Sequence, residues 1–168
     1  KQGMEKMIVD LRDNPGGLLD SVCDVLRKIL PEGLIVYTED KDGNREEEKC
    51  DGKNELRIPL AVLVNESSAS ASEIFAGAVQ DYGIGTIVGT TYGKGVVQSI
   101  RQLSDGSAIK LTVANYYTPK GNNINKTGIK PDIEVSLDTS LLNKNKDEIT
   151  HEEDNQLQEA IKAVEKEK

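Results

Sequence analysis

Two short segments of the 168-residue chain hold the side chains best suited to chemistry. The first is Asn65-Glu66-Ser67-Ser68-Ala69-Ser70-Ala71-Ser72-Glu73, with an apolar run (Leu60 to Val64) leading in and a helical pattern leading out. A serine at such a strand-to-helix turn has its Oγ near unpaired backbone N–H groups and the positive end of the helix dipole. Those groups stabilise a developing oxyanion, and one such donor is worth roughly 3 kcal/mol of barrier. Taken alone, Ser68 to Ser72 read more plainly as capping and small packing residues. The second segment is Gly93-Lys94-Gly95, followed by Gln98. Glycines on both sides allow a tight backbone around the lysine. A lysine works as a base only when neutral, so a pKa of about 10.4 must fall to roughly 7–8, and burial away from anions supplies such a shift. Gln98 is a neutral partner for such an amine. Taken alone, Lys94 reads as an exposed turn lysine.

The remaining composition removes several alternatives. His151 is the only histidine, in the acidic stretch His151-Glu152-Glu153-Asp154. It reads as a solvated residue ahead of a terminal helix, and a Ser–His–Asp triad would have to recruit it from there. No H-E-x-x-H zinc motif is present. Hydrolytic chemistry here therefore needs a base other than histidine or metal-bound hydroxide. The stretch Gly89-Thr90-Thr91-Tyr92-Gly93-Lys94-Gly95 departs from a phosphate-binding loop, since Gly95 stands where serine or threonine is required. A formal net charge of −8 argues against nucleic acid, whose phosphates are held by clustered Lys and Arg. Cys23 sits in a helical apolar pattern and reads as core. Pairing with Cys50 stays open, and neither a disulfide framework nor a zinc site is indicated.

The elements that must hold these residues follow from hydrophobic spacing. Met7 to Leu11 reads as a buried strand ending in the turn Asp13-Asn14-Pro15-Gly16-Gly17. Leu18 to Leu30 repeats apolar residues at three- and four-residue spacing and reads as a helix closed by Pro31 and Gly33. Leu34 to Thr38 and the charged run Arg45 to Lys49 form a hairpin through Asp42-Gly43, expected to be an exposed ribbon. Leu60 to Val64 and Thr86 to Val88 are further strands, with a helix over 70–80 between them. Val96 to Leu103 pairs with Ala108 to Tyr116 through Ser104-Asp105-Gly106, and residues 152–167 form an amphipathic terminal helix. Alternating strands and helices with short connections indicate a mixed α/β fold. No apolar run approaches the roughly 20 residues that span a bilayer. No signal-peptide pattern opens the chain, and Lys1 to Lys6 reads as the tail of a helix belonging to something longer.

Five ordered stretches together resemble the C-terminal processing peptidases, or tail-specific proteases, a family of Ser–Lys peptidases (S41). They are Leu11-Arg12-Asp13-Asn14-Pro15-Gly16-Gly17, Ser68 to Ala78, Tyr92-Gly93-Lys94-Gly95-Val96-Val97-Gln98, Gly128-Ile129-Lys130-Pro131-Asp132 and Asp154-Asn155-Gln156-Leu157. The resemblance implies a ClpP- or crotonase-like core of βα units with added hairpins and a C-terminal helix. It implies a serine endopeptidase cutting proteins near their C-terminal ends, with Ser70 as nucleophile, Lys94 as general base and Gln98 orienting it. The oxyanion hole is expected from the Ala71 N–H and from Gly16, with Gly17 as the alternative. No cofactor is implied. The 24 positions between Ser70 and Lys94 are about one fewer than the family pattern, with Asp81-Tyr82-Gly83-Ile84-Gly85 the shortened loop. The chain resembles a C-terminal part of the catalytic domain, without the family's PDZ domain and N-terminal core strands. Expected partners are a protein or peptide substrate, that PDZ domain in the full-length chain, and a second copy met through exposed core edges. The family's habit is extracytoplasmic or membrane-associated. The competing reading is a non-catalytic peptide- or ligand-binding module on the same fold, and the joint presence of Ser70, Lys94 and Gln98 argues against it. An acyl-CoA enzyme of crotonase type has no separate sequence support.

Overall fold

The computed structural model describes residues 3–89 and 92–166. Thr90 and Thr91 of the glycine-rich stretch, and Glu167 at the end of the expected terminal helix, lie outside the described residues. Two sheets organise the chain. The first is three-stranded and parallel, in the order β1 (Met7–Asp10), β4 (Leu60–Val64), β5 (Thr86–Gly89). The second is antiparallel, in the order β3 (Arg45–Asp51), β2 (Glu32–Asp40), β7 (Ala108–Tyr117), β6 (Val96–Gln102). Helix α1 (Leu19–Leu26) follows β1, α2 (Ala71–Tyr82) joins β4 to β5, and α3 (Asn155–Lys166) closes the described chain. This is the mixed α/β architecture that the spacing predicts.

Strand β4 shows why a continuous apolar run belongs at the centre of a parallel sheet. All five of its residues are buried. Leu60, Val62 and Val64 pack into the core shared with α1 and α2, and Ala61 and Leu63 pack against Ala160, Ala163 and Val164 of α3. With period-two side chains and both faces covered, no position is left for a polar residue. Fully burying one such aliphatic side chain contributes about 1.5–3 kcal/mol.

Three expectations are corrected. Gly3 to Lys6 carries no helix, and β1 is entered from irregular chain. Helix α1 ends at Leu26 rather than Leu30, because Lys28 and Ile29 donate to the carbonyls of Val25 and Leu26, tightening the last turn before Pro31. Ile29 and Leu30 stay buried beyond the helix, which is why the apolar spacing runs on past its end. The charged hairpin is not an exposed ribbon throughout: β3 is an exposed edge, but β2 pairs with β3 on one side and β7 on the other and buries Ile35 and Val36. Cys23 and Cys50 are both buried and unpaired, and burial raises the Cys23 thiol pKa to about 11. His151 is exposed in the turn before α3. Among the described residues, no helix is long and apolar enough to cross a membrane.

Helix α3 is fastened to β1 by charge. Asp154 caps it, accepting from Leu157 N–H at 3.0 Å, and also meets Arg12 at 2.8 Å, while Arg12 reaches Asp10 at 2.7 Å. Burial acts to raise the Asp154 pKa, but the Arg12 hydrogen bond and charge, with the Leu157 N–H, hold it below the ordinary aspartate value. A lowered folded pKa gives stability that is complete above the ordinary aspartate range and is lost as pH falls through the lowered value. Asp154→Asn is therefore expected to lower the unfolding free energy by about 2 kcal/mol near neutral pH. The difference from wild type should shrink as pH drops below about 3.9, and urea unfolding across that range checks it.

Candidate functional site

Three loops meet along one edge of the parallel sheet because three neighbouring strands point the same way. The loop after β1 carries Leu11 to Gly17, the loop after β4 carries Asn65 to Ser70, and the link after β5 carries Gly93-Lys94-Gly95. Carboxyl ends of parallel strands are where α/β folds place their ligands.

The β4 loop is wound so that its serines have different duties. Ser68, fully buried, donates its hydroxyl to Leu11 O at 2.7 Å. Ser72, also buried, donates to Asn14 O at 2.9 Å. Both flanking hydroxyls are thus spent on carbonyls of the β1 loop. Ser70 Oγ donates to no described residue. Ser70 sits at the N-terminus of α2 with φ 57°, ψ −114°, a conformation that L-residues adopt only where the surroundings impose it. Its own N–H is held by Glu73 Oε2 at 3.0 Å.

The β1 loop lies against this turn at backbone distance. A Cβ on Gly16 would stand 2.7 Å from Ala71 N and 2.5 Å from Ala69 O, and its φ of +94° also requires glycine. The Gly16 N–H donates to Asn14 Oδ1 at 3.0 Å. Gly17 N–H and Ala71 N–H donate to no described group. Of the donors expected for an anion, Gly16 is therefore engaged, while Gly17 and Ala71 are open. Beside them lies an apolar cavity of about 250 Å³, with Val9, Leu18, Val22, Val25 and Phe75 in its wall.

The third loop is held by Glu73, a wholly buried carboxyl group. Its Oε1 accepts from Gly93 N–H at 2.5 Å, and its Oε2 accepts from Lys94 N–H at 2.8 Å as well as from Ser70 N–H. The backbones of Ser70 and Lys94 therefore share one oxygen atom. Gly93 has φ +89° and presses on loop 126–128, where a Cβ would lie 2.8 Å from Gly128 N. The Lys94 side chain is half-buried, and no carboxylate of a described residue lies within ion-pair distance of its amine. Gln98 lies exposed on β6 opposite Thr112 and makes no hydrogen bond to Lys94. Among the described residues, no cluster of His, Cys, Asp and Glu is suited to a metal ion.

Sequence reasoning assigns no role to Glu73, Asn65 or Asn14. Ser70-x-x-Glu73 has the spacing of a capping box, a usable signal for Glu73. No local pattern marks the two asparagines. The later stretches find structural roles: Asp132 accepts from Ile87 N–H at 2.8 Å and from Gln80 at 2.9 Å, and Asp154 fastens α3.

The model of peptidase family S41 matches residues 1–135. The carboxyl-terminal-processing protease of Synechocystis sp. is 50% identical over 133 residues, covering 79% of this chain and 31% of that protein. The chloroplastic C-terminal processing peptidase of Tetradesmus obliquus is 44% identical over 144 residues, 84% of this chain and 31% of that protein. Among solved structures, a photosystem II D1 C-terminal processing protease superposes with a TM-score of 0.75 at 42% identity, covering 80% of this chain and 36% of that one. The chain spans about a third of the length of the curated relatives it matches.

Replacing Glu73 by Gln exchanges one accepting oxygen for an NH₂ group and turns it toward a backbone N–H. Glu73→Gln is expected to cost about 2 kcal/mol of stability through that buried, unsatisfied contact, measured as a lowered midpoint in chemical denaturation.

Proposed function

Since the chain belongs to peptidase family S41, we propose that it forms the catalytic part of a serine endopeptidase that cleaves protein substrates near their C-terminal ends. Ser70 is the nucleophile and Lys94 the general base. The observation that carries this reading is the division of labour among the serines. Ser68 and Ser72 spend their hydroxyls on carbonyls of the β1 loop, whereas the Ser70 hydroxyl, at the helix start where it accepts from the Glu73 N–H in a capping box, donates to no described residue and lies beside open N–H groups.

Lys94 Nζ takes the Ser70 proton as Oγ attacks the substrate carbonyl carbon. The resulting oxyanion is bound by the N–H groups of Ala71, at the positive end of α2, and Gly17, which lines the same cavity. The ammonium then protonates the leaving amine, and the C–N bond breaks to leave an ester on Ser70. Water, deprotonated by Lys94, attacks that ester and releases the new C-terminus. Gln98, four residues past Lys94 on β6, is assigned to orient the amine. The apolar cavity beside Gly17 and Ala71 fits an apolar substrate side chain next to the scissile bond. Action outside the cytoplasm or at a membrane, gating by a PDZ domain and pairing with a second copy belong to the same reading of the full-length protein.

In the full-length protein, Ser70→Ala and Lys94→Ala are each expected to lower peptide turnover by at least about a thousandfold with circular dichroism unchanged. Wild-type turnover in either variant would remove the mechanism.

A further inference from the structure

One side chain outside the reacting groups joins the β1 loop to the nucleophile loop at their open end. Asn65 is the first residue after β4. Its Oδ1 accepts from Asp13 N–H at 2.9 Å and from Ser67 N–H at 3.1 Å, and its Nδ2 donates to Asp13 Oδ1 at 3.0 Å. The amide thus grips Asp13 through both its backbone and its side chain.

Asp13 is a place where such a grip matters. Its φ is 58°, in the left-handed region that costs an L-residue roughly 1–2 kcal/mol and that Asp and Asn tolerate best. This reversal turns the chain leaving β1 back over the nucleophile turn. The next residue, Asn14, lends its carbonyl to Ala69 N–H and Ser72 Oγ, and its side chain to Gly16 N–H. A change in the Asp13 dihedrals would swing Gly16 and Gly17, which lie beyond it, relative to Ala71.

We propose that Asn65 is a positioning residue for the oxyanion hole. Its carboxamide holds Asp13 in the left-handed conformation, so that the Gly17 N–H stays in register with Ala71 N–H. The inference rests on the assignment of Ser70 as nucleophile.

The test uses the full-length protein, peptide turnover and a fluorophosphonate probe mapped by mass spectrometry. The probe forms a P–O bond with the nucleophilic oxygen and expels fluoride, and its phosphoryl oxygen needs the same anion donors. Asn65→Ala is expected to slow Ser70 labelling and to lower kcat by about 10- to 100-fold, the cost of displacing reacting groups by about an ångström, with KM little changed. Asn65→Asp should be slowed at neutral pH too, because two carboxylates then face each other. Combining Asn65→Asp with Asp13→Asn restores a donor–acceptor pair in the reverse sense, and most of the lost rate should return. A merely structural role predicts lower stability without that rescue. Wild-type labelling and kcat in Asn65→Ala, a raised KM at unchanged kcat, or a slowed Asn65→Asp that the exchange does not restore would each overturn the inference while leaving Ser70 in place. Wild-type protein that is not labelled at Ser70 would overturn the nucleophile assignment and this inference together.

Discussion

Glu73 has no solvent exposure and no cationic partner among the described residues, yet it takes three backbone N–H groups from two loops 20 residues apart. A carboxyl group removed from water is costly unless its oxygens are fully engaged. That cost works as a constraint on the whole edge. The turn at Ser70 and the turn at Gly93-Lys94 cannot separate without stranding both the carboxyl group and the N–H groups that it satisfies. The unusual dihedrals of Ser70 are therefore over-determined from below by Glu73 and from the side by Ala69 N–H on Asn14 O.

The sheet supplies the coarse alignment that this contact refines. β1, β4 and β5 are parallel neighbours, so the segments leaving their carboxyl ends are adjacent before any side chain is considered. β4 is locked at the centre by helices on both faces. α3, capped by Asp154 and tied through Arg12 to Asp10, braces the strand that feeds the glycine turn. Hydrophobic burial thus places each loop coarsely, and hydrogen bonds between loops refine that placement. Such precision is what nucleophilic catalysis requires of its supporting residues.

Those two levels are not equally legible in the amino-acid order. Leu60 to Val64 is readable as a strand because burial on two faces leaves a continuous apolar run, and the serine-rich segment after it stands out because it lies where a strand gives way to a helix, although only the family resemblance singles out Ser70 within it. The pairing of β2 with β7 leaves no local signal, since Tyr37 and Tyr117 are 80 positions apart and meet only in the fold, where their rings stack at 4.7 Å. The hydroxyls of Ser68 and Ser72 donate to backbone carbonyls more than 50 positions away, and such partners leave no trace in residue type, while the Asn65 amide meets Asp13, 52 positions away, only in the fold. That the Gly16 N–H is engaged while that of Gly17 is open depends on one side-chain bond to Asn14, which no spacing rule encodes.

The most direct measurement is a crystal structure of the full-length protein with a peptidyl boronate in the site. The account predicts boron bonded to Ser70 Oγ, one boronate oxygen on the N–H groups of Ala71 and Gly17, and Lys94 Nζ about 3 Å from Oγ, with Glu73 still holding all three of its N–H groups. An adduct on another residue, or Lys94 turned away into an ion pair while Ser70 is occupied, would contradict it.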